Sequence, residues 1–414
     1  MFYFYFIFLT IFQLLASDEI DGIARDRIVF NKNPLHEHAD YEWTIIGAGV
    51  AGIIAIAVLL DLGIPSESIY WIDPLFNVGR IGEYYENVTA NTPNKFWVNF
   101  LKASPIIESI TQEDINYILS LDQNEYNTLG LIAQPMQHVT DYFKQVVSCT
   151  IGYTDYLEFF DSVWHIGVQD IVKSSRNVIL ATGSKPIILD CSKNADTIPL
   201  DYALDPEVLE KMVKPQDTIG VFGGSHSAIL ILKYLASFDV KQIYNFYKHP
   251  FLYAVDMGDW VLNNGNGLKG ETALWAKNVL ENNPPLNLKR IKNTEENRKI
   301  YLPLCNKIVY AIGYEKNPLP VISNNGEIID EVLFDPQTGI IGTRIFGIGL
   351  AFPGNYIDPA GNKEQLIGLN SFMRYALQFI PEWIKSKNPE SKDSLFRLLN
   401  QLYIFEQVLK ISIL

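Results

Sequence analysis

Gly47-Ala48-Gly49-Val50-Ala51-Gly52 follows the apolar run Trp43–Ile46 and opens a long apolar stretch that ends at Gly63. This G-x-G-x-x-G spacing suits a dinucleotide pyrophosphate. The first glycine permits a tight turn, the second lets the backbone approach phosphate oxygens, and the third lets a helix pack closely on a strand. The phosphates then lie at a helix N-terminus, where unpaired N–H groups point outward. A ribose-holding acid is expected about 20 residues further on, at the end of the next strand. Asp73 stands there, directly after "SIYWI". The plainer alternative is a glycine turn in an α/β core, with Asp73 a strand-end acid.

A second unit reads Gly223-Gly224-Ser225-His226-Ser227-Ala228, in which Ser225 and Ala228 stand where glycines are usual. Small residues still allow close approach, and the unit points to a second dinucleotide. Its next strand ends in Tyr247-Lys248-His249 instead of an acid. An acid there would repel a 2′-phosphate, whereas a basic group accommodates one, which favours NADPH over NADH. A solvated surface lysine is the bland reading of Lys248, and an exposed or capping histidine that of His226.

The elements needed to position these turns can be read from the apolar periodicity. Thr44–Ile46 reads as a buried strand, Val50–Leu62 as a helix apolar all round, and Gly63 as its C-terminal stop. Ser68–Ile72 is the next strand, and residues 154–183 read as short strands ending in "NVILATGSKP". The second strand–turn–helix runs over Thr218–Phe238, followed by the strand Val240–Tyr247 and the apolar segment "KIVYAIGY" ending at Tyr314. "TRIFGIGLAFP" and a helix near "GLNSFMRYALQFI" close the ordered pattern, and "KSKNPESKD" reads as linker material.

This order of motifs resembles the flavoproteins with two dinucleotide-binding domains: thioredoxin-reductase-like enzymes, flavin-containing monooxygenases and N-hydroxylating monooxygenases. The resemblance covers residues 40–380. It implies an α/β fold of two Rossmann-like three-layer domains, the NAD(P) domain inserted into the FAD domain. The expected division is 40–203 for the first part of the FAD domain, 204–316 for the NAD(P)H domain, 317–384 for the second FAD part and 385–414 for a helical tail. By that likeness Gly47, Gly49, Gly52 and Asp73 bind FAD, with Ala181-Thr182-Gly183 as the crossover, and Gly223, Ser225 and Ala228 line NADPH, beside the Lys248 read above from the strand end. Within "NVGRIGEYYENVTANTPNKFW", Gly79, Arg80 and Gly82 are expected near FAD phosphates, and Asn91 and Thr92 near the flavin face. Trp97 and Phe100 read as core before substrate box. Gly349-Leu350 departs from the Gly-Asp of many members, and Gly368 can still aim backbone N–H groups at the flavin.

The branch of chemistry follows from what is missing. Cys149, Cys191 and Cys305 form no close pair, which argues against disulfide reduction by vicinal thiols. The six histidines are scattered, no metal cluster is visible, and no G-x-S-x-G elbow appears. Hydride transfer from NADPH to flavin remains, with electrons passing to oxygen or a small-molecule acceptor, as in a monooxygenase. A flavin chemistry needs no conspicuous side-chain catalyst, so the catalytic residues stay unassigned. An NADPH oxidase or quinone reductase is the runner-up. A catalytically silent FAD/NAD(P)-binding protein also fits the loosened second motif and Leu350.

The totals agree with a multidomain globular protein: 414 residues, 48% hydrophobic and 19% charged. A formal charge of −14 argues against nucleic-acid partners. Residues 1–17 begin "MFYFYFIFLTIFQLLAS", with no charge before Asp18. This is short for a membrane span, which needs about 20 apolar residues, and suits a signal-peptide core or an anchor. The expectation is a secretory or extracellular location, with any membrane contact through this segment, or a cytoplasmic one if the run is not a signal.

Overall fold

The computed structural model describes residues 39–189, 195–258 and 260–385. The expected signal or anchor at 1–17, Cys191 and nearly all of the tail at 385–414 lie outside them. The described residues from Asp40 onward form one compact unit, which contains two large sheets and three two-stranded ribbons.

The first sheet is built on β1 (Tyr41–Ile46), β2 (Ile69–Asp73), β3 (Ser148–Ile151), β4 (Tyr156–Phe160), β5 (Val163–Val168) and β6 (Ile171–Leu180). β1 lies between β2 and β6, parallel to both, and β3 continues the parallel set beyond β2. A strand covered on both faces must be apolar along its length. β1 obeys this: Trp43 to Ile46 are all buried. The N-terminal half of β6 instead forms an antiparallel meander with β5 and β4.

Between β1 and β2 runs α1 (Val50–Asp61), in which every residue from Val50 to Leu59 is buried. A helix apolar all round has no solvent face and belongs inside a layered core. Gly63 ends it at φ +82°. Its N–H donates to the Leu60 carbonyl and that of Ile64 to the Leu59 carbonyl, the paired bonds of a Schellman stop.

The chain leaves the first sheet after β6 and builds the second from β7 (Thr218–Phe222), β8 (Gln242–Tyr247), β9 (Leu288–Lys292) and β10 (Lys307–Tyr310). Their spatial order is β9-β8-β7-β10, all parallel, with α2 (His226–Ser237) following β7. The short strand Asp196–Thr197 adds to the far side of β10. Ile198, Leu200 and Ala203 pack into this second core, so the chain contributes to it before residue 204. The segment "DTIPLDYA" is too short and proline-interrupted to show a period.

Two antiparallel segments, Ser184–Pro186 and Tyr314–Lys316, carry the chain out and back. The strand Val321–Asn324 then rejoins the first sheet beside β4, and β11 (Ile345–Gly347) follows beside the C-terminal half of β6. The second sheet is therefore inserted between β6 and Val321–Asn324. α3 (Leu369–Lys385) contributes Phe372, Met373, Ala376, Leu377 and Ile380 to the core that holds α1. Among the described residues, no helix is long and apolar enough to cross a membrane.

Candidate dinucleotide sites

Open parallel sheets bind ligands outside the carboxyl ends of their strands, where the strand order reverses. In the first sheet that point lies between β1 and β6, and the Gly47–Gly52 turn occupies it. Gly47 has φ +112°, and a Cβ there would stand 2.3 Å from the Ala181 carbonyl oxygen. A Cβ on Gly52 would stand 2.0 Å from the Gly47 oxygen, so the third glycine is required by close helix–turn packing. Gly49 differs: no atom lies within 4 Å of the Cβ it lacks. It stands at the N-cap of α1, where no side chain makes a capping bond. The second glycine thus faces open space at a helix N-terminus, the cradle a pyrophosphate needs.

Asp73 ends β2 and organises this turn. One carboxylate oxygen accepts the Ala48 N–H at 2.7 Å, and the other accepts the N–H groups of Leu75 at 2.8 Å and Phe76 at 2.7 Å. The loop it launches returns to the turn: Val78 bridges Gly49, and a Cβ on Gly79 would meet the Gly49 Cα at 3.0 Å. From the far end of the chain, Gly349 (φ +83°) closes on the start of α1, its missing Cβ 2.7 Å from that of Ala51. Gly368 (φ +107°) precedes α3 with nothing within 4 Å. Gly183 (φ +67°) and Thr182 form the crossover, where the Asn317 side chain donates to the Thr182 carbonyl at 2.8 Å. Thr182 Oγ1 and Asn77 Oδ1 are buried without a hydrogen-bond partner. Buried polar atoms of this kind call for a further partner. Thr92 donates to Asn91 at 3.1 Å on the half-buried loop beyond, and Trp97 and Phe100 are core.

The second turn repeats the first with smaller tolerances. Gly223 has φ +131°, and its missing Cβ would lie 2.2 Å from the Ala311 oxygen and 3.0 Å from the Ala228 Cβ. Ala228 therefore takes the role of Gly52 with little room to spare. Ser225 is exposed at the N-cap of α2 and makes no side-chain capping bond. Asn245, inside β8, donates to the carbonyls of Val221 at 3.1 Å and Gly223 at 2.8 Å, and accepts from Arg290 Nε at 3.0 Å. Lys248 and His249 are exposed beyond the strand end.

His226 is neither a cap nor exposed. Its Nε2 pairs with Thr272 Oγ1 at 3.1 Å, and its Nδ1 is buried without a partner. Burial, with the Lys269 charge nearby, pushes its pKa down to about 4, so the ring is neutral at physiological pH. Lys269 is itself withdrawn from solvent: burial lowers its pKa, and its amine donates to Asn264.

Arg80 does not lie free beside the first turn. It forms an ion pair with Asp201 of the second lobe, and Tyr85 donates to the same carboxylate. Tyr85 and Tyr314 hydroxyls are 3.1 Å apart, and burial raises both pKa values. The acid that captures Arg80 is 121 residues away, outside any local pattern. This cluster stands near both turns: Arg80 follows Gly79, which touches Gly49, and Tyr314 is three residues past Ala311, which touches Gly223. No motif signals Asp201, Asn245 or Arg290. The described cysteines are apart, Cys149 in β3 and Cys305 in the second lobe's core. Burial pushes their pKa values up to about 11 and about 12. Among the described residues no three or more His, Cys, Asp or Glu side chains are grouped so as to hold a metal ion.

No protein-family model matches the chain. A curated relative, the monooxygenase AgnR1 of Paecilomyces divaricatus, is 28% identical over 389 residues, covering 82% of this chain and 97% of that one. The cadaverine monooxygenase DfoA of the desferrioxamine pathway of Erwinia amylovora, solved bound to FAD, superposes with a TM-score of 0.57 at 12% identity, over 84% of this chain and 95% of that one. The bacillithiol disulfide reductase of Staphylococcus aureus gives 0.53 at 13% identity, over 84% and 99%. OTEMO in complex with FAD and NADP gives 0.52 at 11% identity, over 91% of each chain. The chain has the fold of these two-domain flavoprotein oxidoreductases.

Proposed function

We propose that this protein is an FAD-dependent oxidoreductase that takes hydride from NADPH and passes electrons to oxygen or a small-molecule acceptor, as a monooxygenase does. The observation that carries this reading is the open face at Gly49, at the carboxyl edge of a parallel sheet and matched by a second glycine turn on a second sheet. Relationship to a named monooxygenase over 97% of that protein's length supports the same branch.

Gly47, Gly49 and Gly52 would hold the FAD pyrophosphate against α1, with Asp73 close enough to the turn to serve the adenosine ribose. Thr182, Gly183, Gly349 and Gly368, from the crossover, β11's end and α3's start, would wrap the remainder, and Asn91 and Thr92 stand on the loop beyond. Gly223, Ser225 and Ala228 would hold the NADPH pyrophosphate against α2, with the basic end of β8 at Lys248 repelling no 2′-phosphate. Bound flavin supplies the redox chemistry itself; the protein supplies position, exclusion of water and control of protons. For the last of these the half-buried cluster of Arg80, Tyr85, Asp201 and Tyr314 stands near both turns.

The test begins with the purified protein. Heat-released cofactor should be FAD, and NADPH should be oxidised with matching oxygen uptake. FMN, or no flavin after reconstitution, refutes the reading. Full recovery of the oxygen as hydrogen peroxide with every organic substrate offered would favour the oxidase alternative. Flavin binding with no NADPH oxidation would favour the silent binder, to which the partly exposed Leu350 points.

A further inference from the structure

Arg290 extends from β9 across β8, where its strand partner is Asn245. Three contacts fix its guanidinium. The Phe251 ring centroid lies 3.7 Å away, the Tyr247 centroid 4.4 Å away, and Nε donates to Asn245 Oδ1 at 3.0 Å. Asn245 in turn donates to the Gly223 carbonyl at 2.8 Å, so one amide separates this guanidinium from the second glycine turn. Tyr247 is equally close: its Cβ is 3.4 Å from the Cβ that Gly224 lacks.

Aromatic faces stabilise the cation without using its N–H groups. Nη2 is buried and has no hydrogen-bond partner. Tyr253 and Glu281 act on the charge through space, Glu281 from an exposed position, while burial disfavours the charge. A planar, immobilised cation with a buried free N–H is left needing an acceptor. It lies beside the end of β8, where a dinucleotide's adenosine ribose is read and where this strand carries no acid. Arginine favours phosphate there because its fork meets two oxygens at once.

We propose that Arg290, clamped between Tyr247 and Phe251, makes the direct contact to the 2′-phosphate of NADPH, and that exposed Lys248 only adds attraction from the rim. This rests on the proposed use of NADPH. The phosphate oxygens accept from Nη2, and the aromatic clamp holds the guanidinium in place before the coenzyme arrives.

Calorimetry with 2′,5′-ADP and 5′-AMP on the flavin-loaded protein isolates that phosphate. The unaltered protein should bind 2′,5′-ADP more tightly. Arg290→Gln should weaken 2′,5′-ADP by about tenfold to hundredfold, the range of one charge-assisted hydrogen bond, and leave 5′-AMP unchanged. Lys248→Ala should weaken 2′,5′-ADP less than Arg290→Gln does. If Arg290→Gln fails to fold, Arg290→Lys decides, with an intermediate loss confined to 2′,5′-ADP. Equal binding of the two nucleotides by the unaltered protein defeats the NADPH reading and this inference together. Preference for 2′,5′-ADP that survives loss of Arg290 but not of Lys248 overturns the inference alone, as does equal weakening of both nucleotides.

Discussion

At the scale of single residues, the three glycines of the first turn are distinguishable by what a Cβ would meet. Gly49→Val should leave the fold intact, because nothing lies within 4 Å of the new carbon, yet remove FAD binding by filling the cradle. Gly52→Ala should damage both, since its Cβ would meet the Gly47 oxygen at 2.0 Å. Overpacking of this kind costs about 1–3 kcal/mol. Flavin content and urea unfolding of the two variants separate these effects. The thiols offer a second prediction. Cys149 and Cys305, pushed up to about 11 and about 12, carry almost no thiolate at pH 7.5. Iodoacetamide should label both slowly in the native protein and faster as pH rises, read by peptide mass mapping. Rapid labelling of either at pH 7.5 would contradict the burial that raises it.

At the scale of elements, the start of α2 carries a pH dependence. The His226 pKa falls from 6.5 to about 4 on folding, so the unfolded chain takes up the proton first as pH drops. Stability is therefore fully present above pH 6.5 and is lost as pH falls toward 4, by at most about 1.4 kcal/mol per pH unit. Asp61 works the other way: burial pushes its carboxyl up to about 6, which favours the folded state on acidification. The comparison is accordingly between wild type and His226→Gln at each pH. Urea midpoints should fall more steeply for wild type between pH 6.5 and 4, and parallel curves would refute the assignment. Gly63 closes α1 at φ +82° with no neighbour within 4 Å, so Gly63→Ala adds only backbone strain. A loss of about 1–2 kcal/mol is expected from the left-handed conformation alone.

At the scale of the whole molecule, the second sheet is spliced into the first through two adjacent segments, with Pro186 paired to Tyr314. A variant in which residues 187–313 are replaced by a short glycine-serine turn should therefore keep the first lobe and, on the proposed function, still bind FAD. It should no longer be reduced by NADPH, while dithionite still reduces it. The variant also strands Arg80 and Tyr85, whose shared partner Asp201 is in the removed part. Some loss of thermal stability is expected, and loss of all flavin would show that the first lobe depends on the second.

The glycine turns, Asp73, the buried strand β1 and the stop at Gly63 were legible in the sequence because each obeys a short-range rule. A left-handed φ, a strand buried on both faces and a helix seated against a turn restrict residues within a couple of dozen positions of one another. The entry of the chain into the second lobe near Asp196 was less legible, since its strand is two residues long. Arg80, expected beside the phosphates, is drawn to Asp201, and Arg290 reaches the second turn through Asn245, 45 residues away. Which distant residues meet is set by strand order and register, since β9 lies beside β8 and the inserted sheet lies against the loop after β2. Those choices depend on the burial of whole cores, a sum over the chain that no local spacing records, and only the tertiary structure decides them.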